Sequence, residues 1–426
     1  MKKRLLITHL PLALFLVFVL PYQIIAQELA KVEPEKVGLS SERLKFLTST
    51  FEDYVKQGKL SGSVVLVARK GQIAYLKSFG KSDLEKGLPM QENTIFRIAS
   101  QTKAIVSVGV MILQEEGKLL ISDPVGKYIP AFKDTKVALK NGDKYDIVKA
   151  TRPITVRDLL THTAGIGYGS GVATDLWKEA GIQGWYFADR EEPIQATVSR
   201  MAALPFDAQP GEKFVYGYNT DILGALIEVV SGESLDIFLK NRILDPLQMT
   251  DTHFYLPKEK SNRLATVYSS SEKGLSKAPE PGGMVGQGAY VNGPRKSFSG
   301  GAGFLSTAED YATFLQMMLN GGTFNGKRII SPKTVELMTV NHLGEVSFPW
   351  SQGTGFGLGF SVVEDLGARG ELGSEGEYGW GGAYHSTYWV DPKEELVVVY
   401  FTQLIPADGV DDHDKLRALV YQALVD

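Results

Sequence analysis

Ser100 and Lys103 stand three residues apart in Phe96-Arg97-Ile98-Ala99-Ser100-Gln101-Thr102-Lys103, where a strand-like stretch gives way to a long apolar-periodic segment. In a helix, positions i and i+3 share a face, so this spacing sets the amine beside the hydroxyl. A serine hydroxyl attacks an acyl carbon only when a neighbour takes its proton. Lysine does so when burial or nearby charge lowers its pKa from an unperturbed ~10.4. The pair points to a serine hydrolase that works without histidine.

The same spacing recurs at Ser78-Phe79-Gly80-Lys81 and Ser270-Ser271-Glu272-Lys273, so context has to decide. Ser78 ends a strand-like run and precedes Gly80, which favours a turn. Ser270 lies in the polar stretch Tyr268 to Gly274, read as an exposed loop. Only Ser100 opens a helical pattern, with Ile105, Val108, Met111, Ile112 and Leu113 before the stop at Gly117-Lys118. A helix N-terminus also favours negative charge developing on the serine oxygen.

A proton relay and oxyanion donors must come from elsewhere. Tyr216-Gly217-Tyr218-Asn219 precedes an apolar helix pattern from Ile222, and a tyrosine held near Lys103 there can pass protons. The competing reading is two half-buried aromatics flanking a turn. Trp380-Gly381-Gly382-Ala383 comes just before an expected strand, where paired glycines let backbone approach a ligand and a strand edge offers free N–H groups. The functional reading is an oxyanion donor from Ala383 acting with the Ser100 N–H; the plain one is a glycine turn beside a packed tryptophan.

The elements that must position these residues fall into three blocks. Ser41 to Lys56 reads as a helix, followed by strands Ser63–Arg69 and Gln72–Phe79 joined by a Lys70-Gly71 hairpin turn. The far end repeats the strand character at Phe356–Val363, Ala383–Val390 and Glu395–Gln403, closed by a helix from Asp411 to Leu424. The middle is richer in helix, at Val156–Thr161, Pro193–Leu204, Thr220–Val230, Leu235–Ile243 and Ala308–Leu319. The expectation is an α+β fold: one antiparallel sheet built from both chain ends (about 40–95 and 300–426) and flanked by helices, with a mainly helical subdomain inserted at about 100–300. Residues 27–426 then form one catalytic domain, with loops near 166–190 and 274–296 rimming a cleft.

At 426 residues, with 43% hydrophobic and 22% charged, the chain has the composition of a globular protein with a substantial core. Lys2-Lys3-Arg4, the apolar run Leu12 to Leu20 and Ile24-Ile25-Ala26 read as a signal peptide over residues 1–26. Pro11 and Pro21 bracket a run well short of the ~20 residues a membrane span needs, so no anchor is expected after cleavage. A periplasmic or secreted location follows. The net charge is −4, and removing a leader with three basic and no acidic residues leaves −7. No basic excess remains for nucleic acid. There is no cysteine, which excludes thiol catalysis, cysteine-ligated zinc and disulfides.

Taken in order, Phe96–Lys103, Thr155-Val156-Arg157-Asp158-Leu159-Leu160-Thr161-His162-Thr163-Ala164-Gly165, Pro210–Gly224, Gly300–Thr307 and Trp380-Gly381-Gly382 resemble the serine β-lactamase-like superfamily. Within it they resemble the class C β-lactamases and, more closely, the family VIII carboxylesterases. The resemblance covers nearly all of the chain after the leader. It implies Ser100 as the acylated nucleophile, Lys103 as its proton-accepting neighbour, Tyr216 sharing acid–base duty, and Ala383 as the second oxyanion donor. It implies the β-lactamase/transpeptidase fold and no cofactor or metal.

Two departures bear on substrate. The family's Tyr-x-Asn reads Tyr216-Gly217-Tyr218, and the Lys/His-Thr-Gly of true β-lactamases reads Trp380-Gly381-Gly382, the form of the esterase branch. Tryptophan cannot hold an antibiotic's carboxylate, so ester hydrolysis is favoured over strong β-lactam hydrolysis. Tyr168 is a candidate pocket residue, and an ordinary loop aromatic otherwise. His162 reads as a structural hydrogen-bonder, Asp221 as a helix N-terminal carboxylate, and His385 as a residue whose side depends on strand register. His253, His342 and His413 read as isolated, with no metal-ligand spacing. The absence of a G-x-S-x-G elbow argues against an α/β-hydrolase. The expected function is an exported esterase on small or short-acyl esters; a β-lactamase, D-amino-acid peptidase or acyltransferase and a non-catalytic scaffold are the rivals. Acyl-chain length, stereopreference and oligomeric state are not encoded legibly.

Overall fold

Gly62–Arg69 (β1) is buried along its whole length, and so is Leu396–Thr402 (β8), its antiparallel neighbour. Side chains alternate across a strand, so two cores form from one pair. Val64, Leu66, Val399 and Phe401 face one core, and Val65, Val67, Val398 and Tyr400 the other. The computed structural model that shows this describes residues 29–426, so the expected leader lies outside the described residues.

Around that pair the sheet extends to eight antiparallel strands, in the order β4-β5-β6-β7-β8-β1-β2-β3. The remaining strands are β2 (Gln72–Asp83), β3 (Leu88–Pro89), β4 (Thr354–Phe356), β5 (Ser361–Val363), β6 (Tyr378–Gly382) and β7 (Ser386–Asp391). Both chain ends therefore meet in one sheet with helices on its two faces, a mixed α+β arrangement. α1 (Ser41–Lys56) starts where Ser40 caps it by accepting from the Arg43 N–H. It packs Leu44, Leu47 and Phe51 on one face of the sheet, beside the C-terminal helix α5 (Asp412–Tyr421). The other face is covered by α2 (Thr102–Glu115) and α4 (Ala308–Leu319), with α3 (Asn219–Ser231) packed on α2.

Several expectations are corrected by pairing. Phe356–Val363 is not one strand: β4 and β5 form a hairpin across a turn in which Gly359 has φ +100°. The Trp380-Gly381-Gly382 stretch lies inside β6 rather than ahead of a strand, and the next strand begins at Ser386, not Ala383. Ser270 is not in an exposed loop. It is buried in the hairpin of Tyr268–Ser271 with Gly274–Lys277, and its hydroxyl donates to the Asp408 carbonyl. Ser78 sits inside β2, which runs on through Gly80 to Asp83. The middle region also contains the hairpin Lys136–Asn141 with Lys144–Lys149, turned at Gly142.

Candidate active site

The nucleophile candidate is placed by a junction. Phe96–Arg97 pairs with Leu305–Ser306, and a single turn of 3-10 helix, Ala99–Gln101, then leads into α2. Ala99 has φ +42° and is buried, so a non-glycine residue takes a left-handed conformation costing roughly 1–2 kcal/mol. That bend presents Ser100 at the N-terminal end of α2, where the helix dipole favours an anionic oxygen.

Lys103 rises from the first turn of α2 and is 2% exposed. Its Nζ lies 3.2 Å from Ser100 Oγ, 3.2 Å from the Tyr168 hydroxyl and 2.7 Å from the Gly301 carbonyl. Ser100 Oγ is thus one of three polar groups around the amine, and the other two hold it in place. The Gly301 carbonyl is itself fixed from α3, since the Gly301 N–H donates to Asp221 Oδ1 at 3.0 Å and the Ser299 hydroxyl to the same oxygen at 2.6 Å. Burial pushes the Asp221 carboxyl up, opposed by Ser299 and by the Lys103 charge. Asp221, read from sequence as a helix N-terminal carboxylate, thus also positions a lysine acceptor.

Two tyrosines flank the amine differently. The Tyr216 ring lies over Lys103, with Nζ 4.6 Å from its centroid, a cation–π contact. Its hydroxyl accepts from the Trp380 indole N–H at 2.9 Å. Tyr168 instead offers its oxygen to Lys103, and burial raises that phenol well above its ordinary value, with Tyr216 and Asp221 adding to the effect. The two tyrosine segments meet because Gly217 has no side chain: a Cβ there would stand 2.3 Å from the Ile166 carbonyl oxygen. Tyr218 is not in the cleft; it is buried, and its hydroxyl donates to the Gly184 carbonyl.

On the opposite side β6 brings Trp380, Gly381 and Gly382 against the turn that carries Ser100. A Cβ on Gly382 would lie 2.5 Å from the Ile98 carbonyl oxygen, so only glycine allows this approach. Ala383 follows at the corner beside Ser100 in one cleft of about 630 Å³. The structure therefore brings Ser100, Tyr168, Tyr216, Trp380, Gly381, Gly382 and Ala383 to a single cavity, with Lys103 beneath Ser100.

Sequence reading missed part of this wall. Trp185, the largely exposed Trp350 and His413 line the cleft, and strand register turns His385 toward it. His413 is not isolated: its ring stacks on His385, with centroids 4.1 Å apart, and His385 Nε2 lies 2.7 Å from Asp412 Oδ1. No local spacing signals that contact, because the two histidines belong to different elements. His162 is a hydrogen-bonder, with its Nδ1 accepting from Asn219 Nδ2 at 2.9 Å. Burial and then the Lys103 charge hold it well below the usual histidine range, so it stays neutral.

With this geometry in hand, comparison with known proteins is decisive. A family model described as Beta-lactamase matches residues 47–422. The chain belongs to the β-lactamase family. Among curated relatives of this β-lactamase-family protein, Protein Rv1367c of Mycobacterium tuberculosis is 33% identical over 365 residues, covering 83% of this chain and 88% of that protein. Esterase EstB of Burkholderia gladioli is 30% identical over 397 residues, covering 88% and 94%. Among solved structures, EstCE1, described as a hydrolase with promiscuous acyltransferase activity, superposes with a TM-score of 0.77 at 28% identity, covering 89% of this chain and 99% of that one. The fold and the serine-hydrolase character of the family are thereby shown.

Proposed function

We propose that this protein is an exported carboxylesterase that cleaves small or short-acyl esters through an acyl-enzyme on Ser100. One observation carries the reading: Ser100 Oγ lies 3.2 Å from the buried Lys103 amine and opens into an aromatic-walled cleft. Among the described residues no lysine or arginine lines that cleft. The tryptophan at the position where a β-lactamase carries a cationic or polar residue spends its N–H on Tyr216. A neutral ester suits such walls better than an anionic β-lactam. The esterase relative and the hydrolase structure support the same choice.

Acylation moves the Ser100 proton to the Lys103 amine as Oγ bonds to the acyl carbon. The oxygen that gains charge is met by the N–H groups of Ser100 and Ala383, preorganised donors of a kind worth ~10²–10³ in rate each. The ester C–O bond then breaks, and the alcohol leaves with a proton returned through the Lys103–tyrosine unit. Water repeats the sequence to free the acid and restore Ser100. Lys103 and Tyr216 act as one coupled unit, with Tyr168 holding the amine.

A panel of p-nitrophenyl esters of rising acyl length, read with intact-mass detection of the acyl-enzyme, tests this. Turnover favouring short chains, lost in Ser100→Ala, is the expected result. Nitrocefin turnover at a comparable rate would move the assignment to the β-lactamases, and a folded protein inert to esters and to fluorophosphonate would leave a scaffold. Export is proposed from the basic-then-apolar leader, and a mature chain starting near Gln27 is its check.

A further inference from the structure

The corner after β6 runs Gly382-Ala383-Tyr384-His385, and its backbone is closed by the His385 N–H donating to the Gly382 carbonyl at 3.0 Å. His385 has φ +63°, a conformation that only glycine takes without steric cost. A histidine persists there because α5 grips it twice. Its Nε2 lies 2.7 Å from Asp412 Oδ1, and its carbonyl lies 3.3 Å from His413 Nε2. The stacked His413 ring closes the grip from one side.

Asp412 is well placed for this. It is fully buried at the first position of α5, its second oxygen accepts from the Tyr400 hydroxyl, and the His413 N–H reaches Oδ1 at 3.1 Å. Although burial opposes it, the His385 hydrogen bond leads the contacts that hold this carboxyl below its ordinary range. Ligand atoms of His385, Asp412 and His413 lie within 4.8 Å of one another, as in an ion site. Yet both carboxylate oxygens are already committed to a ring nitrogen, a phenol and a backbone N–H, so the group is spent on holding the corner.

We propose that His385 is a positioning residue: through Asp412 it clamps the 382–385 corner so that the Ala383 N–H meets the oxyanion formed on Ser100. This rests on the acyl-serine reading above. It also explains why a strained histidine stands where glycine would fit: glycine would relax the turn and lose the tether.

His385→Gly and His385→Gln separate strain from tether. Glycine removes both, whereas glutamine keeps an amide donor near the place of Nε2. The expected result in His385→Gly is a folded protein with a lower Tm, because buried Asp412 loses its leading donor, a fluorophosphonate labelling rate and ester kcat lower by about 10–100-fold, and a KM within about twofold. His385→Gln should recover most of the rate. Asp412→Asn, which keeps the volume and weakens the tie, should fall in the same direction by less. Wild-type labelling rates in both His385→Gly and Asp412→Asn overturn the clamp. Amide exchange at residues 382–386 needs no substrate: it should quicken in His385→Gly and not in His385→Gln. If the wild-type protein itself does not label, the acyl-serine reading fails, and unchanged exchange in His385→Gly then overturns the clamp on its own.

Discussion

Two histidines occupy left-handed backbone at the cleft, His162 at φ +57° buried behind Tyr216 and His385 at φ +63° on the sheet wall, and the protein treats them in opposite ways. On the helical wall His162 is buried, accepts from Asn219, and packs its ring 4.6 Å from Tyr216. Burial, and after it the Lys103 charge, keep it neutral. On the sheet wall His385 borders the cleft and faces a carboxylate. The helical wall supplies side-chain chemistry, so what matters there is which groups meet the Lys103 amine. The sheet wall supplies backbone N–H groups, so what matters is where a turn sits.

The contrast is best broken from the helical side. Lys103→Met removes the amine but keeps the volume, and fluorophosphonate labelling should drop by about 10²–10⁴-fold with the circular-dichroism melt retained. A labelling rate near wild type would show that the serine is activated from elsewhere. Next comes Tyr168→Phe. A hydrogen bond to a charged group is worth about 1.5–3 kcal/mol, so kcat should fall about 10–100-fold, with labelling following suit. An unaffected rate would leave Tyr216 as the only phenol that matters.

Stability should report the same wall. Asn219 donates from one amide to His162 Nδ1, the Ile166 carbonyl and the Val215 carbonyl. Asn219→Ala leaves buried acceptors without a donor and should cost about 2–4 kcal/mol in urea unfolding. The pH dependence has a definite sign. His162 is held well below its ordinary pKa by burial and by Lys103, so below about pH 6.5 the unfolded chain binds a proton that the folded chain does not. Its contribution is present above that value and is lost as the pH falls, by about 1.4 kcal/mol per pH unit for one proton. His413, lowered by burial and by His385, adds in the same sense. His162→Asn, which tolerates positive φ, should flatten that slope; an unchanged slope would assign it to the other lowered histidines, His253, His342 and His413. The smallest effect belongs to the rim: Trp350→Ala should raise KM a few-fold for aromatic esters and leave kcat and Tm unchanged.

Much of the frame was legible because local rules and tertiary packing agree there. The Ser41–Lys56 helix and the Ala308–Leu319 helix were readable to the residue, since an apolar stripe and a capping serine or threonine coincide with a buried face. Where they disagree, the reading slipped. Phe356–Val363 has uninterrupted strand character, yet it folds back at Gly359 because that places Phe356 in the apolar cluster with Phe214 and Leu343. Trp380-Gly381-Gly382 looks like a turn, but β7 pairs with it along the whole stretch. The hairpin at 136–149 carries an Asn141-Gly142 turn signal that a helical reading of the middle passed over. Of the cleft, Ser100 and Lys103 were readable from spacing and context and Tyr216 through the family resemblance; Trp350 and His413 were not.

The chain alone determines which groups exist and which of them share a local element: a hydroxyl and an amine one helical turn apart, a glycine pair able to approach backbone, and continuous apolar, β-branched strands at both ends. Those depend on backbone period and steric freedom, which act over a few residues. Only the tertiary structure decides that Tyr168 rather than Tyr216 hydrogen-bonds the amine, that Gly301 and Asp221 hold it from behind, and that a carboxylate on the last helix reaches a histidine 27 residues away. Such partners are chosen by how whole elements pack, and a buried polar group takes whichever complement that packing delivers within about 3 Å.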